Sequence, residues 1–243
     1  MSLHETLQHR RAIRYYDPEK PLDSARVEEC LRQATLAPTS SNMQLYRCYH
    51  ITDPTVIAAL TPACLGQSTI STAKEVVVFA ITPSRWRERV DHLFPRIVED
   101  IHKHQPEEKW AKYEAMQREY MTKVVPFLYS RGCKVWGWAR HLVMNAIALF
   151  RPMMRQGTEG DMKIVLHKSC ALVAQTFMLA MSEAGYDTCP VEGFDARRVR
   201  KALGLPSSDE PSLIVSCGIR DEKRALGDRI RVPFESVYER IGK

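Results

Sequence analysis

No run of this 243-residue chain is apolar for long enough to suggest a membrane span. The candidate run at 142–150, LVMNAIALF, falls far short of the ~20 residues a bilayer requires. The opening MSLHETLQHRR lacks the apolar stretch of a secretory leader. Cysteine is present seven times, an odd and scattered set with no C-x-x-C pair. That suits reduced thiols in a cytosolic enzyme rather than a secreted disulfide framework. There is no G-x-G-x-x-G turn after a strand, no P-loop, no G-x-S-x-G and no H-E-x-x-H, which argues against Rossmann, P-loop, serine-hydrolase and zincin chemistry. Low-complexity tracts and internal repeats are also missing. These absences predict a soluble, cytoplasmic protein with one large core or two small ones.

What is present is ordinary in bulk, with 44% hydrophobic and 26% charged residues. The formal net charge of +6 is spread along the chain, which favours anionic ligands slightly and does not by itself indicate nucleic acid. No aromatic-interleaved basic stripe or helix-turn-helix pattern supports a nucleic-acid partner. Ser2 and Glu5 form a capping-box pattern for a first helix ending near Arg10. Asp23 caps a second helix whose buried face is Val27, Leu31 and Ala34, stopped by Pro38. Alternation predicts a strand over 45–51, Asp53-Pro54 opens another helix, and the β-branched run at 75–81 predicts a central strand. Residues 84–155 read as helical, divided by Pro95, Pro106, Pro126 and Pro152. An apolar helix over 168–185 ends at Gly185, followed by a loop over 186–195, a helix from Asp195 to Leu203 and a strand over 212–219. Three strands among many helices, without βαβ alternation, predict an α+β fold.

Four constellations could carry chemistry, and each has an ordinary structural reading beside the functional one. Arg10, Arg11 and Arg14 are either an anion-binding wall or a solvated helix end, where cations suit the dipole. Residues 38–44, PTSSNMQ, are either a row of hydrogen-bonding groups for a polar heterocycle or a capped turn. The CPVEGF segment at 189–194 is either a ligand loop, with Gly193 allowing close backbone approach, or a plain connection. Arg229 and Arg231 share one side of an extended segment, which suits a phosphate clamp or a charged edge. His102 and His104 lie in a hydrophilic stretch without metal-ligand spacing and read as surface histidines. Cys189 reads as a packed thiol rather than a nucleophile.

In this order and spacing, RRAIR (10–14), APTSSNMQLY (37–46), PVEGF (190–194) and RIRVP (229–233) resemble the FMN-dependent nitroreductase family. The resemblance covers residues 1–82 and 165–235. It implies a single nitroreductase-like α+β domain over 1–243. In that fold a mainly antiparallel sheet is flanked by helices, with a helical insertion over 84–159. It also implies a homodimer with FMN at the interface and a C-terminal arm exchanged between partners. Carried over by position, Arg10, Arg229 and Arg231 would hold the FMN phosphate, with Arg11 and Ala12 beside them. Arg14 would face the pyrimidine edge of the flavin and stabilise charge that builds there on reduction. Thr39, Ser40, Asn42 and Gln44 would bond the ring edge and ribityl chain, from the partner subunit. Gln67, Pro190, Val191, Glu192 and Gly193 would complete the contacts, the Glu192 and Gly193 amides near N5 and O4. The implied activity is ping-pong reduction of a nitroaromatic, quinone or similar conjugated acceptor by NADH or NADPH, without a protein nucleophile. Dehalogenase-like or ene-reductase-like chemistry and a non-catalytic flavin-binding module remain the alternatives.

This chain departs from the family pattern at Ala12, where serine is usual, and at Leu45-Tyr46, where Pro-Trp is usual. The 84–159 segment is expected to shape the substrate channel. Trp136, Trp138, Met144 and Phe150 are its candidate lining, with helix packing the plainer reading of each.

Overall fold

The computed structural model describes residues 1–131 and 134–242; Cys133 lies outside them. Ser2 closes a complete capping box with Glu5 on α1 (Leu3–His9). Asp23 caps α2 (Ser24–Ala34) by accepting the Ala25 and Arg26 amides. After β1 (Tyr46–Ile51), Asp53 accepts the Thr55 amide and Pro54 opens α3 (Pro54–Leu60). The single turn α4 (Ser68–Ser71) leads into β2 (Glu75–Ile81). Then follow α5 (Trp86–His104), α6 (Glu107–Glu119), a π-helical turn over Tyr120–Val124, α7 (Val125–Tyr129) and α8 (Lys134–Ile147). The last regular elements are α9 (Glu159–Glu183), β3 (Asp187–Val191), α10 (Ala196–Leu203) and β4 (Glu210–Gly218).

The four strands form one antiparallel sheet in the order β1-β2-β4-β3. β2 is buried at every position, as its continuous apolar run predicts for a strand covered on both faces. Its alternate side chains enter two separate cores. Val77, Phe79 and Ile81 join Val27, Cys30, Leu166, Cys170, Val173 and Phe177 from α2 and α9. Val76 and Val78 join Ile57, Leu60, Ile70 and Val199 on the other face. Phe79 and Phe177 meet as tilted rings, centroids 5.6 Å apart. The result is a three-layer α+β protein with helices on both sides of one sheet.

Three expectations need correction. The segment 186–195 is not all loop, because Asp187–Val191 forms the fourth strand, β3. Pro190 disguised it, since proline is excluded from central strands; β3 stands at the end of the sheet, where a missing N–H is tolerated. The apolar helix begins nine residues earlier than 168, at Glu159, capped by Thr158 in a box with Asp161. Finally, Pro95 lies inside α5 and Pro126 inside the unbroken helical run from Glu107 to Tyr129, so neither divides its helix. α9 is also the one helix among the described residues long and apolar enough to cross a membrane, and half of that window is buried in the fold.

Candidate active site

The arginine segment leaves the helix before it can use helical spacing. α1 ends at His9, and Arg10 is already extended, with φ −62° and ψ 112°. Arg10, Ala12 and Arg14 therefore share a side by strand periodicity, with Ile13 buried between them. Both ends of the segment are sewn to the core. His9 Nδ1 meets Ser182 Oγ at 3.0 Å on α9. At the other end, the buried Tyr16 hydroxyl donates to the Ser216 carbonyl at 3.0 Å, and its ring lies against Gly218. A Cβ on Gly218 would lie 2.4 Å from that ring, so only glycine leaves room for it. In the middle, the Ile13 amide donates to the Thr188 carbonyl, and Thr69 Oγ1 donates to the Ile13 carbonyl. Ala12 thus bridges Thr188 in parallel fashion, lying along β3.

That alignment brings most of the expected site residues together. Arg10 and Arg14 both lie near enough to Cys189 to oppose the upward push that burial gives its thiol. Cys189 is a buried thiol held in its protonated form, which fits packing rather than nucleophilic chemistry. Beyond Pro190 and Val191, the loop at Glu192 and Gly193 is exposed. Gln67 Nε2 donates to the Gly193 carbonyl at 2.8 Å and to the Cys64 carbonyl at 3.1 Å. Gln67 is thus a brace for this loop.

The tail returns across the same segment. Arg220, next to the end of β4, clamps the nearly inaccessible Asp187 carboxylate through Nε and Nη2 and donates to the His9 carbonyl at 3.0 Å. Arg224 lies 4.0 Å over the Tyr15 ring. Arg11 donates to the Gly227 carbonyl at 2.6 Å. Arg229 Nη2 donates to the Leu7, Gln8 and Arg10 carbonyls, closing the C-terminal end of α1. Arg231 turns onto its own neighbour, the Ile230 carbonyl. Loss of hydration lowers Arg229, and the charges of Arg11, Arg10 and Arg231 lower it further. Arg10, Arg11 and Arg231 are therefore each close enough to Arg229 for its charge to be disfavoured. A cavity of about 580 Å³ opens beside Arg11, walled by Arg11, Arg14, Arg220 and Arg224 and also by Asp221, Glu222 and Asp228. The arginines are the donors here that could hold a phosphate.

Thr39–Gln44 is built differently. Ser41, Asn42 and Gln44 have φ of 54°, 51° and 49°, three left-handed residues without a glycine. Thr39 Oγ1 accepts the Gln44 amide at 3.1 Å, and Gln44 Nε2 donates to Asn42 Oδ1 at 3.2 Å. The Ser40 amide donates to Ser169 Oγ at 3.1 Å. Ser169 and Ser182, which anchor the loop and the arginine segment, lie thirteen residues apart on α9, ~20 Å at the helical rise. The two halves are thus anchored at separate points of one helix.

The candidate channel residues separate. Met144 is fully buried and packs, whereas Trp136, Trp138 and Phe150 are exposed, Phe150 to 89%. His102 pairs with Glu114 and stacks on Trp110, and His104 pairs with Asp100. Among the described residues, no group of three or more metal-ligating side chains is assembled. Sequence reasoning missed Asp187, Arg220, Tyr16, and also Tyr120 and Tyr129, whose hydroxyls meet Ser41 and Ser40 of the Thr39–Gln44 loop. Tyr16 lies two residues past Arg14, just beyond the RRAIR motif. Asp187 was hidden because its strand was read as loop.

Fold and candidate site together define a class: an α+β protein with one antiparallel sheet and an arginine-rich segment along its edge strand. The model of the nitroreductase family matches residues 7–219. The chain belongs to the nitroreductase family and is an oxidoreductase. A curated relative from Thermus thermophilus, named NADH dehydrogenase, is 27% identical over 229 residues, spanning 94% of this chain and 90% of that protein. Among solved structures, the nitroreductase-type protein ydfN of Bacillus subtilis superposes with a TM-score of 0.73 at 16% identity, covering 98% of each chain. A nitroreductase-type protein from Exiguobacterium sibiricum, solved in complex with FMN, gives 0.67 at 22% identity over 98% of this chain and 97% of its own.

Proposed function

We propose that this chain is an FMN-dependent NAD(P)H oxidoreductase that works as a homodimer and reduces nitroaromatic, quinone or similar conjugated acceptors. The observation that carries the reading is the gathering of Arg10, Arg11 and Arg231 around Arg229, whose charge they disfavour, at the end of a segment aligned with β3. A flavin phosphate held there would relieve that repulsion. Arg14, further along the same side, then lies toward the ring, where its charge favours the reduced form. The exposed Glu192 and Gly193 backbone, braced by Gln67, offers amides to the ring edge. FMN, when bound, supplies the chemistry by accepting hydride from a nicotinamide and passing it to the acceptor. The chain's own residues bind, orient and tune.

The distance between the halves supports a composite site, with the Thr39–Gln44 loop contributed by a second chain. Two exposed apolar surfaces support the same assembly. Ile164 and Leu172 are exposed on the helix that carries both anchors. The tail exposes Ile230, Val232, Phe234, Val237 and Ile241, with Ile241 at 93%, far more apolar surface than a free arm retains without a partner. Mixed dimers test this directly. Arg10→Ala and Asn42→Ala chains should each bind FMN poorly alone. Mixed, they should regain one intact site per heterodimer, read by flavin fluorescence titration. Mixtures no better than the separate variants would reject the composite site.

A further inference from the structure

The strained loop is held from the helical insertion, at two side chains. Tyr120 Oη lies 2.7 Å from Ser41 Oγ, and Tyr129 Oη donates to Ser40 Oγ at 3.0 Å. Ser40 and Ser41 sit directly before and within the run of left-handed residues. Such backbone persists only where its surroundings over-determine it.

The geometry of the insertion explains how both tyrosines reach one loop. In an α-helix at ~100° per residue, the nine steps from Tyr120 to Tyr129 would place the rings roughly 180° apart. The π-helical turn at Tyr120–Val124, closed by the Val125 amide on the Tyr120 carbonyl, takes up one extra residue. The pair then behaves as eight steps apart and returns to within ~80° of one face. Met121, Val125 and Tyr129 are buried in the main core, fixing the helix axially and in rotation. Arg140 on α8 secures its far end. This buried guanidinium donates from Nη1 to the Phe127 and Leu128 carbonyls at 3.0 and 2.7 Å, and from Nε to the Gly157 carbonyl at 2.6 Å.

We propose that Tyr120 and Tyr129 are positioning residues that lock the Ser40–Gln44 loop in its ligand-binding form, so that the insertion sets flavin affinity through them. The inference rests on the flavin reading of the loop but concerns groups that reading does not contain. The lock also gives the π-turn a purpose, since without it the two hydroxyls would face opposite ways.

Tyr120→Phe and Tyr129→Phe remove only the hydroxyls and leave the rings in place. In the homodimer, each should raise the FMN dissociation constant roughly three- to tenfold, the worth of one net hydrogen bond. Hydrogen exchange at 39–45 should accelerate in the apoprotein while exchange in β2 and α9 stays unchanged. Ser41→Ala combined with Tyr120→Phe should be no worse than either alone, because both break one contact. Unchanged exchange at 39–45 in both Phe variants, acceleration spread evenly over the core, or fully additive effects in the double variant would each overturn the lock. If the wild-type protein takes up no FMN, the flavin reading fails, and the exchange measurement still decides the lock by the same criteria.

Discussion

The arginine segment and the Thr39–Gln44 loop are the two halves of one proposed site, and they are held in opposite ways. Arg10–Arg14 lies along an edge strand, its backbone paired with Thr188 and its ends fixed by His9 and Tyr16. The loop has three left-handed residues in four positions and depends on Ser169, Tyr120 and Tyr129 from distant elements. The first half is a rigid fixture that concentrates charge. The second is a strained polar strip whose shape is imposed from outside. A site of the proposed kind would keep a constant cradle while the 84–159 segment adjusts the half proposed to meet the ring.

The sharpest way to break the contrast is to unseat the rigid half. Asp187→Ala leaves Arg220 without its buried partner and should cost about 3 kcal/mol, the low end for breaking a buried pair. Urea unfolding would show it, and a loss under 1 kcal/mol would mean the arginine segment is not anchored there. Next in size, Arg10→Ala should weaken FMN binding about 30-fold, from ~2 kcal/mol for a charged hydrogen bond, with folding stability little changed. Arg14→Ala should retain FMN while lowering its reduction potential; an unchanged potential removes the assigned role.

The strained half should respond with the opposite sign. Gln44→Gly removes a side chain from φ 49° and should raise stability by up to ~1 kcal/mol while weakening FMN binding. Equal or lower stability would show that the loop is not strained. The smallest effect belongs to His9. Burial lowers its pKa from the ordinary 6.5, Asp187 pulls it back up, and Arg220 pushes it down again. The folded protein therefore binds this proton less readily than the unfolded chain. The stability it contributes is complete above the unfolded value and is lost as pH falls through the lowered folded value. His9→Gln should flatten the decline in the urea midpoint as pH falls below the ordinary histidine value of 6.5; an identical slope would exclude His9 as its source.

The rigid half was the more legible in the sequence. Caps at Ser2, Asp23, Asp53 and Asp195 and the buried run at 75–81 are all local signals, and each appears in the structure where local physics places it. β3 was missed because Pro190 argues against a strand unless that strand is known to be an edge. α9 was started late because Gly160 and the charges around it mask the Thr158–Asp161 box. The Tyr120 and Tyr129 contacts join residues about eighty to ninety positions apart and depend on a π-turn. No periodicity rule sees such an extra residue, so the strained half became visible only in three dimensions.

The most direct test of the whole account is anaerobic titration of the FMN-loaded dimer with NADH and NADPH, followed by its visible absorbance. The account predicts that at least one nicotinamide bleaches the oxidised-flavin spectrum and that a quinone or nitroaromatic restores it. A protein that takes up no FMN, or whose bound flavin stays oxidised with both nicotinamides, would contradict it.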